Sequence, residues 1–167
     1  ADKEGTFKHP VSIKFGVNAI KDKNELVIVG KGGKETKFEY GKDFSPASFT
    51  ANNTLESEVV FAGYGLSVAG KPGEGYNSYS DINATGKTVL VFRYVPEQVK
   101  GERRQKLMRS AALVRKATVA RSHGAKAVII VSGPNSDKSN KLIPLNYVRG
   151  ATSTGVVALS GNHKLAN

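Results

Sequence analysis

The sequence predicts a mixed α/β, β-rich domain, with antiparallel strands in its first half, one parallel β-α-β crossover in its second half, and one or two helices flanking the sheet. Three observations carry this expectation. Apolar positions recur at period two through the first sixty residues, and Gly or Asn-Lys clusters punctuate them. A charged stretch of helix formers at 102–123 is bracketed by two short apolar runs, TVLVF at 88–92 and KAVIIV at 126–131. The chain has 167 residues, 39% of them hydrophobic, which suffices for one domain with a real core and is too little for two comfortable ones.

Val11, Ile13 and Phe15 alternate, and Asp22-Lys23-Asn24 makes a turn. Leu26 and Ile28 then share a face opposite Val27 and Val29, Gly30 to Gly33 permits a tight reversal, and Phe38 and Tyr40 resume the alternation, so this part reads as a hairpin meander. Segment 41–54, with its Pro, Ser and paired Asn, reads as surface loop, and 55–66 returns to an extended conformation. Gly63 and Gly65 flank Tyr64 and let the chain turn out of the sheet. The excursion that follows, SVAGKPGEGYNSYSDINATG at 67–86, is polar and without a period, and its length is that of either a functional loop or a mobile one.

The order strand, helix, strand from residue 88 to 131 implies a right-handed crossover with parallel strands. Gly124 is placed to end the helix, with His123 in the last turn, where partial positive charge suits the dipole. Leu107, Ala111 and Val114, together with Leu113, Ala117 and Ala120, make one broad, small-sided apolar face that can lie close on a sheet. Arg103, Arg104, Lys106, Arg109, Arg115, Lys116 and Arg121 are expected on the opposite, solvated rim. In the last third, 132–141 reads as loop, the Pro of LIPL argues against a central strand, and GVVAL at 155–159 is a short final strand.

Several chemistries lack their signatures. The chain has no cysteine, which excludes disulfides and thiolate-held metals. His9, His123 and His163 form neither an HxD nor an HExxH arrangement. GATSTG at 150–155 puts Thr152 where a nucleophile elbow needs Ser, and the Gly-Lys stretches at 30–35 and 69–75 fit no phosphate-binding loop. The longest apolar runs fall far short of the roughly 20 residues that span a bilayer, so no membrane partner is expected. No basic head followed by an apolar stretch opens the chain, so a secretory signal is absent or already removed.

Charge is more informative in its distribution than in its sum. Residues 98–126 hold nine basic side chains against the single acid Glu102, or +8 of the whole chain's +11. Such a face is read first as solvated exterior, then as a dock for a protein or neighbouring domain, and last as a grip on phosphates, since no aromatic interleaves the run to stack a base. Tyr64, Tyr76 and Tyr79, with Arg103, Arg104, Lys106 and Arg109, form the candidate contact surface, because tyrosine supplies both apolar area and a hydroxyl.

Four ordered segments carry a resemblance: YGKDFSPASFT at 40–50, VVFAGYGL at 59–66, YNSYSDINATGKTVLVF at 76–92, and AALVRKATVARSHGAKAVIIVSG at 111–133. Together they resemble the protease-associated domain of secreted zinc aminopeptidases of the co-catalytic metallopeptidase class. The matching positions are Phe61, Gly63, Tyr64 and Gly65; Tyr76, Tyr79, Gly86 and Lys87; Val89 to Phe92; and Lys116, Ala117, Ala120, Gly124 and Ala125. The chain departs from that pattern in having Asn77 and Ser78 between the two tyrosines, where acids are common, and in its basic helix.

The resemblance implies a β-sandwich or open-barrel fold with flanking helices, inserted ahead of the metal-binding motifs of a larger enzyme. In that parent two zinc ions activate water and a glutamate is the general base. Residues 1–167 would then be an excised protease-associated domain with no catalytic residue, metal ligand or cofactor of its own. Its partners would be the parent's catalytic domain and a protein or peptide substrate, in a secreted or periplasmic bacterial setting. Two other readings stay open: a basic nucleic-acid-binding domain using the 98–126 helix, and an independent hydrolase with a site assembled from distant loops.

Overall fold

Strand alternation builds two apolar faces on one sheet, one covered by α2 and the other by the β1–β2 hairpin. The computed structural model describes residues 17–71, 73–133, 140–146 and 153–165. In chain order the strands are β1 (Leu26–Val29), β2 (Glu35–Phe38), β3 (Phe44–Pro46), β4 (Val59–Phe61), β5 (Ser67–Val68), β6 (Tyr76–Asn77), β7 (Thr88–Phe92), β8 (Ala127–Val131) and β9 (Val157–Gly161). Helices α1 (Gly101–Arg109) and α2 (Leu113–Ser122) connect β7 to β8. The main sheet is open and five-stranded, in the order β3-β9-β8-β7-β4; β3 runs antiparallel to β9 and the other neighbours are parallel. The fold is thus mixed α/β and β-rich, and the expected crossover is present as β7-α1-α2-β8. Parallel pairing extends beyond it, to β4 with β7 and β8 with β9.

Register decides the faces. Val89, Val128 and Ala158 stand side by side, as do Leu90, Ile129 and Leu159 one residue on. Val89, Val91, Val128, Ile130 and Ala158 pack against Ala117 and Ala120 of α2, whose small side chains admit the helix closely. Leu90, Phe92, Ile129, Val131 and Leu159 turn the other way, toward Leu26, Ile28, Phe38 and Tyr40 of the β1–β2 hairpin. That hairpin has the expected antiparallel pairing, Leu26 opposite Phe38, with residues 31–33 at its turn. It forms a sheet of its own instead of running on as a meander.

The helix expected over 102–123 is two helices. Ser110 closes α1 by donating its N–H to the Leu107 carbonyl, Ala111 donates to that of Met108, and Ala112 turns extended (φ −55°, ψ 135°) before α2 begins. Neither Pro nor Gly marks the break, so its cause is tertiary. Leu107 is buried with Leu66 and Val95, whereas Ala117 and Ala120 sit on the sheet, and one straight axis does not serve both pockets. The same break turns Val114 outward, to 38% exposure, off the apolar face expected for it. At its far end α2 stops as the sequence predicts. His123 is the C-cap, Gly124 donates to the Arg121 carbonyl and Ala125 to the Ala120 carbonyl, the paired bonds of a Schellman motif.

Segment 41–54 is not all surface loop. Phe44 is 1% exposed in β3, and buried Asp43 accepts from the Glu39 amide at 3.0 Å and the Lys164 ammonium at 2.7 Å, which ties this edge to the end of β9. The ion pair with Lys164 and the Glu39 hydrogen bond hold the Asp43 carboxyl down at about 2. Residues 67–86 likewise contain order, the short ladder of β5 and β6 that pairs Ser67 with Asn77 and Val68 with Tyr76. The expected alternation of Val11, Ile13 and Phe15, His9, and most of the stretches 132–141 and 150–152 lie outside the described residues.

Gly63 (φ +51°) and Gly65 (φ +61°) make the turn out of β4, as the sequence predicts. A Cβ at residue 63 would meet only ordinary contacts, the nearest at 3.6 Å, whereas one at residue 65 would lie 2.8 Å from a Val91 methyl in the core. Gly63→Ala is expected to cost about 1 kcal/mol through backbone strain, and Gly65→Ala about 2–4 kcal/mol because overpacking adds to it. Urea midpoints of the two variants check the order; equal losses would contradict the close approach to Val91.

Candidate interaction surface

The parallel strands β4 and β7 end side by side, and outside the carboxyl ends of such strands is where open α/β sheets place their sites. What holds the chain there is Lys116. Its side chain is fully buried, and Nζ donates to the carbonyl oxygens of Phe92 at 2.9 Å, Tyr94 at 2.8 Å and Tyr64. Burial draws its pKa down to about 7. The three carbonyls pull the other way, since only the ammonium has a proton for each of them. The solvated rim expected for Lys116 is therefore corrected. Residues 113, 116, 117 and 120 follow helical spacing, and that stripe was the sequence signal for its burial.

From this clamp a line of aromatic rings runs outward. Phe61 meets Phe92 edge to face at 5.0 Å between centroids, Phe92 meets Tyr64 at 5.4 Å, and Tyr64 meets Tyr76 at 6.5 Å. Phe61 is 51% exposed, and Val59 beside it is exposed too. Both lie on the edge strand β4. Thr88 N–H bonds the Glu58 carbonyl and Ala62 N–H the Leu90 carbonyl, so the alternation of a parallel ladder points the amide groups of Val59 and Phe61 off the free edge. Tyr64 and Tyr76 are half-buried against Leu66, Val95 and Leu107, and desolvation raises the Tyr64 hydroxyl pKa.

Tyr79 does not belong to this surface. It is 4% exposed, stacks on the His123 ring (centroids 4.3 Å apart, planes 4° apart), and is a core residue beneath α2. Its hydroxyl is buried without a hydrogen-bond partner among the described residues, and desolvation pushes its pKa up to about 12.

The basic run is less free than its count implies. Arg103 donates to the Gly75 carbonyl at 2.9 Å, Arg104 to that of Pro96 at 3.4 Å, and Arg121 to that of Thr154 at 3.1 Å. Arg109 is exposed and Lys106 half-buried. Arg103 and Lys106 rest on the β5–β6 loop, which has an open groove of about 380 Å³ lined by Val68, Gly70, Lys71, Gly75, Tyr76 and Asn77, among others. The structure thus joins Tyr64, Tyr76, Arg103 and Lys106 in one neighbourhood, and the aromatic absent from the helix is supplied by β6. Phe61 and Phe92 were missed as site residues because an apolar residue in a strand pattern reads as core.

Among the described residues no group of His, Asp and Glu converges in a way that could hold a metal ion, and no helix is long and apolar enough to cross a membrane. Among the described residues the surface offers apolar rings, outward strand-edge amides and cations.

Lys116→Met strands three carbonyls and is expected to cost about 2–4 kcal/mol in urea unfolding. Between a folded pKa of about 7 and the ordinary 10.5 the unfolded chain holds a proton that the native chain lacks. The Lys116 contribution is therefore constant below about pH 7 and grows as pH rises above it, so the stability gap between the native chain and Lys116→Met widens from about pH 6.5 to about pH 9.5. A gap that narrows contradicts the assignment. Tyr79→Phe removes an unsatisfied buried hydroxyl, so its melting temperature is expected to stay level or rise, by the equivalent of about 0–1 kcal/mol.

No protein-family model matches the chain, and no curated protein matches it.

Proposed function

We propose that the chain is the non-catalytic protease-associated module of a zinc-dependent aminopeptidase, mediating protein-protein interaction or substrate access to a catalytic domain elsewhere in a longer polypeptide. The observation that carries this reading is the aromatic line from Phe61 to Tyr76, half exposed and held at the strand ends by Lys116. A rigid apolar ridge with a polar rim is what a protein-docking surface requires. The amides of Val59 and Phe61 beside it, without a partner among the described residues, suit an extended polypeptide, which gains main-chain hydrogen bonds by lying along a sheet edge.

On this reading zinc and the reacting groups belong to the catalytic domain, two ions in the co-catalytic manner, and the setting is secreted or periplasmic. The nucleic-acid alternative loses support from the burial of Lys116 and the engagement of Arg121, which interrupt the basic track. The independent-hydrolase alternative has no cluster of acid-base groups behind it in the described residues.

The chain is expected to bind an unfolded, carboxymethylated protein and to hydrolyse no aminoacyl anilide, with or without zinc. Phe61→Ser and Tyr76→Ser should each weaken that binding by about 5- to 30-fold, the range of a central interface residue. Binding is read by fluorescence anisotropy, and the folding of each variant by circular dichroism. Undetectable binding, or turnover abolished by changing the chain's own side chains, overturns the proposal. In the longer protein, deleting residues 1–167 should alter cleavage of large substrates more than that of aminoacyl anilides.

A further inference from the structure

Residues 81–85, Asp-Ile-Asn-Ala-Thr, form the short extended link that leads into β7. Exposure alternates along it. Asp81, Asn83 and Thr85 are exposed, Ile82 packs on the core and Ala84 is buried, so the three polar side chains share the outward side. Asn83 Oδ1 accepts the Thr85 N–H at 3.0 Å in an Asx turn, and in the tight turn that follows Lys87 donates its N–H to the Ala84 carbonyl at 3.1 Å. This local structure uses only the oxygen of the Asn83 side chain and the backbone amide of Thr85. The Asn83 amide nitrogen and the Thr85 hydroxyl are left over, and among the described residues neither has a hydrogen-bond partner. An aspartate or a serine would close the same turn, so the turn alone does not require the nitrogen. Two residues ahead, the Asp81 carboxylate accepts from Ser80 Oγ at 2.9 Å and joins no ion pair among the described residues.

We infer that Asn83 is an acceptor for asparagine-linked glycosylation, with Thr85 and Asp81 as the groups by which an oligosaccharyltransferase recognises it. Asn-x-Thr on an exposed turn is the acceptor pattern, and Asp81 adds a carboxylate that a cation of the transferase can grip. In the transfer, Asn83 Nδ2 displaces a polyprenyl diphosphate from the anomeric carbon of its oligosaccharide. A C–N bond forms, the C–O bond to phosphate breaks, and the amide proton passes to a base of the transferase, with no change of oxidation state. The other Asn-x-Thr triplet, Asn52 to Thr54, is exposed too, but it has Thr50 where the first has Asp81, and its Thr54 N–H is taken by Asn53. The acceptor also stands clear of the aromatic line. Asn83 precedes the amino end of β7, whereas Phe92 and the Lys116 clamp are at its carboxyl end, about 13 Å along the strand. The inference goes beyond the docking reading and shares with it only the secreted setting.

The test uses the folded full chain, a purified bacterial oligosaccharyltransferase and a polyprenyl-diphosphate-linked oligosaccharide, with intact mass and peptide mapping as the readout. A single glycan is expected, at Asn83. Asn83→Asp keeps the oxygen that closes the turn and removes the nucleophile, so it should abolish the product at an unchanged melting temperature. Thr85→Ala should abolish it as well. Asp81→Asn removes a charge-assisted contact and should slow transfer at least about tenfold, while Asn52→Asp should change nothing. No glycan on the native chain overturns the inference, and so does transfer to Asn52 as fast as to Asn83, transfer indifferent to Asp81→Asn, or transfer only after unfolding. Binding of the carboxymethylated protein is measured on the same samples. Full binding without a glycan sinks this inference alone, and a glycan without binding sinks the docking reading alone.

Discussion

One ammonium group holds together the strand ends from which the aromatic line runs. The Lys116 Nζ joins α2 to the backbone beyond β4, at Tyr64, and to the end of β7 and just past it, at Phe92 and Tyr94. These are strand ends whose carbonyls have run out of ladder partners. Helix α1 begins a few residues later, so its position also descends from this junction. A buried ion is normally stabilised by a counter-ion; here the oxygens are neutral dipoles, which supply direction without cancelling charge. Tyr64 and Phe92 are thereby fixed by their own main chain, and their rings are presented by a rigid base.

The rest of the architecture supplies reasons for the ridge to stay open. The β1–β2 hairpin covers the sheet over β8 and β9, through Phe44, Ile129 and Val131, and leaves Val59 and Phe61 on β4 exposed. An edge strand with two exposed apolar side chains and free amides is an association hazard. The strand is only three residues long, and Glu58, paired with Lys87 at 2.7 Å, puts charge at its start. Those features limit indiscriminate sheet addition while leaving the edge usable by a partner that also engages the rings.

Much of the fold was legible because period two and helical spacing are written directly in residue type. The β1–β2 hairpin, β7, β8, β9 and the Gly124 terminator all sit where local pattern and turn chemistry agree. The misses have a common cause, which is that long-range packing left no local mark. Nothing in residues 109–113 signals a break, because the break serves Leu107 in one pocket and Ala117 in another. Phe44 lies in a segment rich in turn formers, yet β9 recruits it into the sheet as an edge strand. Within the candidate surface, Tyr64, Tyr76, Arg103 and Lys106 were legible as residue types that bind. Tyr79 was misplaced because the count between tyrosines does not show which of them faces α2. Lys116 was misplaced because charge was weighed above its position on the buried stripe.

The way the chain satisfies its carbonyls also explains why its positive field survives folding. Lys116, Arg103, Arg104 and Arg121 all donate to backbone oxygens. A carbonyl accepts the hydrogen bond and leaves the formal charge in place, whereas a carboxylate would have removed it. The ion pairs of the described residues lie elsewhere, at Glu25, Glu39, Asp43 and Glu58. The positive charge of residues 98–126 is therefore structurally engaged and largely kept, with Lys116 giving up part of its own as pH rises past about 7. Fixed cations beside an aromatic ridge raise the positive potential over it. Charge acts at a distance and ring packing only on contact, so the two features of this surface differ in range.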